Sequence, residues 1–359
     1  MNSEDFPKRA RHRRRSTAKL WFASLAIITV VAAGVGFAER SAVSNLLDSL
    51  FANDYHGQGT GSVNIVVQDG DTGEDVANTL AQAGVVKDFK TVYKTILKLN
   101  PTFYPGTFAM HLQMNSVEAV NLLASGENRV IQKVTVKEGL RISNVLKVLS
   151  EATGISRDEF TAAAKDLEGI GVPTGEVSAE GWLFPATYEF DGATTAKSML
   201  ATMVSRMKQE LNDQGVAEAK WHETLTLASI VQKEARIETD FYKVSRVFLN
   251  RIKSGMPLQS DATVSYGSGG TTVTTTDAER ADQNGYNTYV HLGLPVGPIS
   301  APGAVAIKAA LNPAKGDWLF FCAINLKTGE TVFSKTLAEH EKAVAQFQRW
   351  IQANPGWNG

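Results

Sequence analysis

One carboxylate in this sequence sits where a carboxylate is costly. In WHETLTLASIVQKEAR (residues 221–236), Leu227, Ile230 and Val231 recur at helical spacing, and Glu234 follows them by seven, four and three positions, on the same face. A carboxylate on a packing face has to be paired or functional. Desolvation would raise its pKa, so that it holds a proton at neutral pH and delivers it as a general acid. It would equally serve as half of a buried ion pair, with Arg246 or Arg251 on the next helix as partner. Periodicity alone leaves both open. Glu223 falls off the stripe and is expected in solvent.

Further on, Gln259, Asp261 and Tyr266, then the run Tyr286, Asn287, Thr288 and Tyr289, supply amides, hydroxyls and aromatic faces from loops. Sugars are bound by such groups: amides and carboxylates fork onto hydroxyls, and aromatic rings cover the apolar face of the ring. Asp261 would equally cap a turn. No metal or cofactor is expected. Cys322 is the single cysteine, set among Phe320, Phe321 and Ala323, and the six histidines show no ligand-like spacing. A net charge of −1 gives no global attraction to nucleic acid.

Several elements must position these groups. Of the 359 residues, 43% are hydrophobic and 20% charged, which is the composition of folded domains. Residues 1–19 form a basic tail with Lys8, Arg9, Arg11, Arg13, Arg14, Arg15 and Lys19, followed by an uncharged run over 20–38, LWFASLAIITVVAAGVGFA. That length spans a bilayer, and the cations assign the tail to the cytoplasm and the remainder to the far side. A cleaved signal peptide would share the basic start, but no small-x-small site closes the run before Glu39, so an uncleaved anchor is expected. Residues 39–62 read as a linker ending in GQGTGS.

Residues 63–154 read as small modules. Strand 63–67, a turn at Asp69-Gly70 and a helix that Thr72 can cap return as VTVKEGLRISNVLKVLSEATG. Aligning Gly70 with Gly139 superposes Ile65 and Val67 on Val134 and Val136, and Val76 and Leu80 on Val145 and Leu149. LysM-type glycan-binding units share this build, as does any strand–turn–helix unit. Residues 155–355 alternate helices with Gly- and Pro-marked loops, then close with a strand in DWLFFCAIN, a turn at Thr328-Gly329, a strand in TVFS and a helix near 337–351. The expected fold class is α+β: a transmembrane helix, LysM-like modules and a catalytic domain.

The strings EGWLFPATYEF, ASIVQKEA, VFLNRIKSGMPLQSDATVSYG, YNTYVHLGLPVGPISAPG, AIKAALNPA and FSKTLAEHEKAV stand in one order along the chain. In that order they resemble the YceG-like endolytic murein transglycosylases, over residues 65–344. The resemblance implies a single-pass membrane protein that cuts peptidoglycan glycan strands and leaves 1,6-anhydro ends, with peptidoglycan synthases as candidate protein partners. The family motif at the catalytic helix resembles SIVEKE, whose last Glu is the acid/base. That position is Glu234 here, while the first acid is replaced by Gln232. Ala262 stands where proline is usual and Ser260 where threonine is common. Gln259 and Asp261 are kept, and residues 268–285 match poorly. The competing class is a non-catalytic peptidoglycan-binding scaffold in which Glu234 is an ion-pair partner.

Overall fold

The computed structural model describes residues 54–270 and 275–356. The basic tail, the apolar run and most of the expected linker lie outside the described residues. No helix among the described residues is long and apolar enough to cross a membrane. The chain divides into two compact units, with the division in the sequence between Arg129 and Val130.

The first unit is built from β1 (Thr60–Val67), α1 (Gly73–Gln82), α2 (Phe89–Leu99), β2 (Gly106–Leu112) and α3 (Ser116–Ser125). Thr72 caps α1 in a capping box. It accepts from the Asp75 amide at 3.3 Å, and Asp75 accepts from the Thr72 amide at 2.9 Å. Strand β1 runs antiparallel to β2 with Ile65 opposite Phe108. Alternation turns Ile65 and Val67 inward onto Val76, Leu80, Val92 and Ile96.

The second unit comprises β3 (Ile131–Thr135), α4 (Ile142–Thr153), α5 (Arg157–Lys165), β4 (Thr187–Asp191), α6 (Ala196–Asp213), α7 (Trp221–Glu234), α8 (Glu238–Lys253), α9 (Asp261–Gly267), α10 (Asp277–Ala281), α11 (Ala304–Leu311), β5 (Phe320–Asn325), β6 (Glu330–Ser334) and α12 (Leu337–Ala353). Mixed helices with small antiparallel sheets make this an α+β chain. The closing hairpin and helix stand where the strand–turn–strand–helix pattern puts them, with Gly329 at φ +75° in the turn.

Both strand–turn–helix copies are present. All eight aligned apolar residues are buried, and Gly70 and Gly139 both take positive φ. The second copy, however, belongs to the second unit. Its strand β3 pairs antiparallel with β4, Val134 opposite Tyr188, and α4 buries Val145, Leu146 and Leu149 against the core that holds Trp182, Met199 and Leu225. The compact boundary therefore falls at 129/130 rather than at the expected 154/155. The strand finds its partner more than fifty residues downstream, where local spacing gives no sign of it.

Candidate active site

Helix α7 is the axis of the second unit. Every residue from Thr224 to Val231 is buried, so the helix is covered on all sides and not along one stripe alone. Its polar residues are accordingly spent on neighbouring backbone. The Ser229 hydroxyl accepts from the Ile299 amide at 3.0 Å, and Ser300 donates to the Ser229 carbonyl at 3.1 Å. Gln232 accepts from the Gly303 amide at 2.9 Å and so caps the start of α11. An amide oxygen does this as a carboxylate oxygen would, which accounts physically for glutamine at the position where the family resemblance expects an acid. Glu223, as expected, is exposed, and it pairs with Lys220 at 2.7 Å.

The helix stops at Glu234, with Ala235 already extended at ψ 145°. Glu234 thus occupies the C-terminal end, where unsatisfied carbonyls disfavour negative charge. It lines a cleft of about 820 Å³ together with Gln259, Ser260, Asp261 and Tyr289 on one side and Phe320 and Phe321 of β5 on another. The Ser260 hydroxyl donates to Glu234 Oε1 at 2.6 Å. Although partly open to the cleft, the Glu234 carboxyl is packed closely by protein, and this desolvation raises its pKa. The Ser260 hydrogen bond works against the rise, the negative charge of Asp261 adds to it, and Lys233 and Arg251 oppose it.

The ion-pair alternative is not what the geometry shows. Arg246 Nε donates to the Ala314 carbonyl at 2.5 Å. Arg251 donates to the carbonyls of Leu319 at 2.6 Å and Leu258 at 2.8 Å. Among the described residues Glu234 is in no ion pair.

The loop residues divide into those that reach the cleft and those that hold it. Gln259 is exposed in it, with φ at +50°, a strained setting for a residue other than glycine. Asp261 Oδ1 accepts from Thr275 at 2.5 Å and from the Tyr289 hydroxyl at 3.0 Å. Thr288 is 1% exposed and does not face the cleft. Its carbonyl accepts from the Gln259 amide at 3.1 Å and its hydroxyl from the Ser260 amide at 3.1 Å. It thereby holds the strained turn that aims Ser260 at Glu234. Asn287 is 0% exposed, and its amide donates to the carbonyls of Glu279, Arg280 and Asp282. Both are expected from the sequence to be substrate contacts; the structure buries both side chains and commits their hydrogen bonds to the loop.

Tyr266 and Tyr286 are also absent from the cleft lining; their rings meet edge-on at 4.7 Å. The Arg141 guanidinium, which does line the cleft, lies 5.3 Å from the Tyr266 ring centre. Behind them is Glu180, a residue that spacing did not single out. It is 2% exposed, and both its oxygens accept from the Ile142 amide at 3.0 Å, at the start of α4. Burial pushes its pKa up to about 7 against that hydrogen bond. Ser260, Arg141 and Glu180 were missed because each lies outside any periodic pattern. The one available signal was the hydroxyl at 260, where serine and threonine alternate in the family resemblance.

The YceG-like family model matches residues 65–346, well over half of the chain and all of the cleft except Phe347. The chain belongs to the YceG-like family. Among its relatives is the endolytic murein transglycosylase of Bacillus subtilis strain 168, 31% identical over 307 residues, covering 80% of this chain and 85% of that one. A second relative of that name, from Streptococcus pneumoniae D39, is 27% identical over 341 residues. That alignment takes in 84% of this chain but spans only 61% of the pneumococcal protein. A crystal structure of a YceG-like protein of Listeria monocytogenes superposes with a TM-score of 0.53 at 28% identity, over 79% of this chain and 99% of that one. In this YceG-like chain the matched span contains Glu234 and all seven loop residues read as substrate contacts.

Proposed function

We propose that the chain is an endolytic murein transglycosylase, with Glu234 as its acid and then its base. The observation that carries this reading is a desolvated carboxyl facing a wide cleft, unpaired with any cation and hydrogen-bonded by Ser260 alone among the described side chains. An ion-paired glutamate would have favoured the scaffold alternative. Family membership and the names of the relatives at 27–31% identity support the same reading.

Most glycosidases use one carboxyl to protonate the leaving oxygen and a second as nucleophile or water activator. Here protonated Glu234 gives its proton to the oxygen joining N-acetylmuramic acid to N-acetylglucosamine. As the C1–O bond breaks, positive charge develops at C1 and the ring oxygen, and the negative charge of Asp261 is placed to stabilise it. The muramyl C6 hydroxyl then closes onto C1, and the Glu234 carboxylate recovers its proton. No water is consumed, because the intramolecular hydroxyl replaces it at high effective concentration. Thr275 and Tyr289 fix Asp261, and the apolar wall of β5 accommodates sugar faces.

The same reading carries the parts of the chain that lie beyond the site. Residues 20–38 serve as the anchor with the tail cytoplasmic, and the strand–turn–helix units serve as LysM-like glycan contacts. Nascent strands made by peptidoglycan synthases are the substrate. The test is the product. Mass spectra of sacculus digests should show 1,6-anhydro-N-acetylmuramic acid ends, lighter than reducing ends by one water. Reducing ends alone would make the enzyme a hydrolase.

A further inference from the structure

Four cations line the cleft, Arg141, Lys233, Arg236 and Arg251, against two carboxyls, Glu234 and Asp261. Glu234 must be protonated to begin the reaction proposed above, which leaves one negative charge against four positive. Among the described residues none of the four cations is in an ion pair. Arg251 is buried and spent on carbonyls of the fold. Of the other three, Lys233 and Arg236 are exposed and loosely anchored, while Arg141 is half-buried and also donates to the Ser265 hydroxyl at 3.2 Å. Lys233 reaches the Gly139 carbonyl at 3.3 Å, Arg236 the Leu326 carbonyl at 3.4 Å, and Arg141 the Gly270 carbonyl at 2.6 Å. Arg141 and Lys233 are close enough for their charges to oppose one another. Glu234 and Glu180 offset part of this at Lys233, but among the described residues no carboxylate stands within ion-pair distance of the three, and a ligand carboxylate would supply one.

We propose that Arg141, Lys233 and Arg236 form a carboxylate-recognition rim that binds the free carboxylates of the peptide stems, so that the enzyme selects stem-bearing glycan. This deepens, and rests on, the transglycosylase reading of the same cleft. Guanidinium groups suit carboxylates because their planar fork matches the two oxygens, and Lys233 adds a point charge. A neutral sugar chain needs none of these. The rim thus acts on substrate choice, while Glu234 acts on the bond.

Three forms of uncrosslinked glycan separate the possibilities: strands with native stems, strands whose stem carboxylates are converted to neutral amides, and strands stripped of stems at the lactyl amide. The last retains only the lactyl carboxylate. With the full chain we expect amidation to raise KM by roughly tenfold, the sum of a few partly exposed charge contacts. Stripped strands should be as poor as amidated ones, because the charge that matters is on the stem. Equal use of native and stripped strands, with amidated ones poor, would assign the rim to the lactyl group and overturn the stem assignment. Equal use of all three overturns the proposal while leaving the transglycosylase reading intact, whereas cleavage of none defeats that reading itself. In an Arg236→Gln/Lys233→Gln variant, amidation should cost less than about twofold, since the groups that sense it are gone. Both residues are exposed, so folding is retained, and a melting curve checks it. If the variant still discriminates tenfold, the rim is not the reader. Arg141→Gln is the independent second variant, held to the same ratio.

Discussion

At the residue scale, the catalytic glutamate is defined by what it lacks. Arg246 and Arg251 are turned to backbone carbonyls, so Glu234 meets the cleft with one hydroxyl donor and a raised pKa. Ser260 tunes that pKa, because its bond favours the charged form. Ser260→Ala should therefore raise the Glu234 pKa further, moving the alkaline limb of the kcat–pH profile to higher pH. Ser260→Thr, which keeps the hydroxyl, should restore the original limb. A limb unmoved by Ser260→Ala would mean that another group titrates there. Glu234 was legible in the sequence, since a carboxylate four and three residues after Ile230 and Val231 conflicts with burial. Its freedom from ion pairing was not legible, because that depends on where the Arg246 and Arg251 side chains go. Asn287 and Thr288 show the opposite limit: residue type suggests sugar contacts, whereas their burial and their bonds to the loop are not legible from type or spacing.

At the element scale, the site hangs on how α7, the 257–268 segment and α4 are joined. Glu180 does part of this by capping α4 from a buried position. Its pKa is raised from 4.5 to about 7, so the folded state binds its proton more tightly than the unfolded state does. The contribution is fully present below about pH 4.5 and is lost as pH rises through about 7. That shift corresponds to about 3 kcal/mol. Glu180→Gln keeps an acceptor for the Ile142 amide without the charge. It should melt like wild type near pH 5 and at higher temperature than wild type near pH 8. A variant less stable at both pH values would show that the carboxylate itself is needed. None of this was readable from spacing. Glu180 lies in a loop, its partner amide is 38 positions upstream, and the tertiary approach alone gives it meaning.

At the scale of the whole molecule, the duplicated strand–turn–helix was read correctly as a pattern, and both copies bury the aligned residues. The unit to which the second copy belongs is not legible there, since the pairing of β3 with β4 is non-local. The difference has a direct consequence. A fragment beginning at Val130 keeps β3, α4 and the cleft, and should be soluble and active on isolated peptidoglycan. One beginning at residue 155 removes Val134, Val136, Val145, Leu146 and Leu149 from the core. Burying such side chains contributes about 1.5–3 kcal/mol each, so this fragment should fail to fold, as circular dichroism and a melting curve would show. A stable, active 155–359 fragment would contradict the assignment of the second copy to the catalytic unit.

The central claim is that Glu234 moves the proton in both halves of the reaction. Glutamine at 234 keeps the size and an acceptor for Ser260 but cannot donate and retrieve a proton. General acid–base work contributes roughly 10²–10⁴-fold, and here one residue performs both halves, so kcat should fall to or beyond the top of that range. Relieved of a desolvated carboxyl, the variant should melt at or slightly above the wild-type temperature. An ion-paired structural glutamate would behave in the reverse way, losing about 3–5 kcal/mol. Sacculus digestion and melting of wild type and Glu234→Gln side by side test both. Abolished release of 1,6-anhydro ends with stability kept is the predicted result. A Glu234→Gln enzyme that still releases them at the wild-type rate would contradict the account.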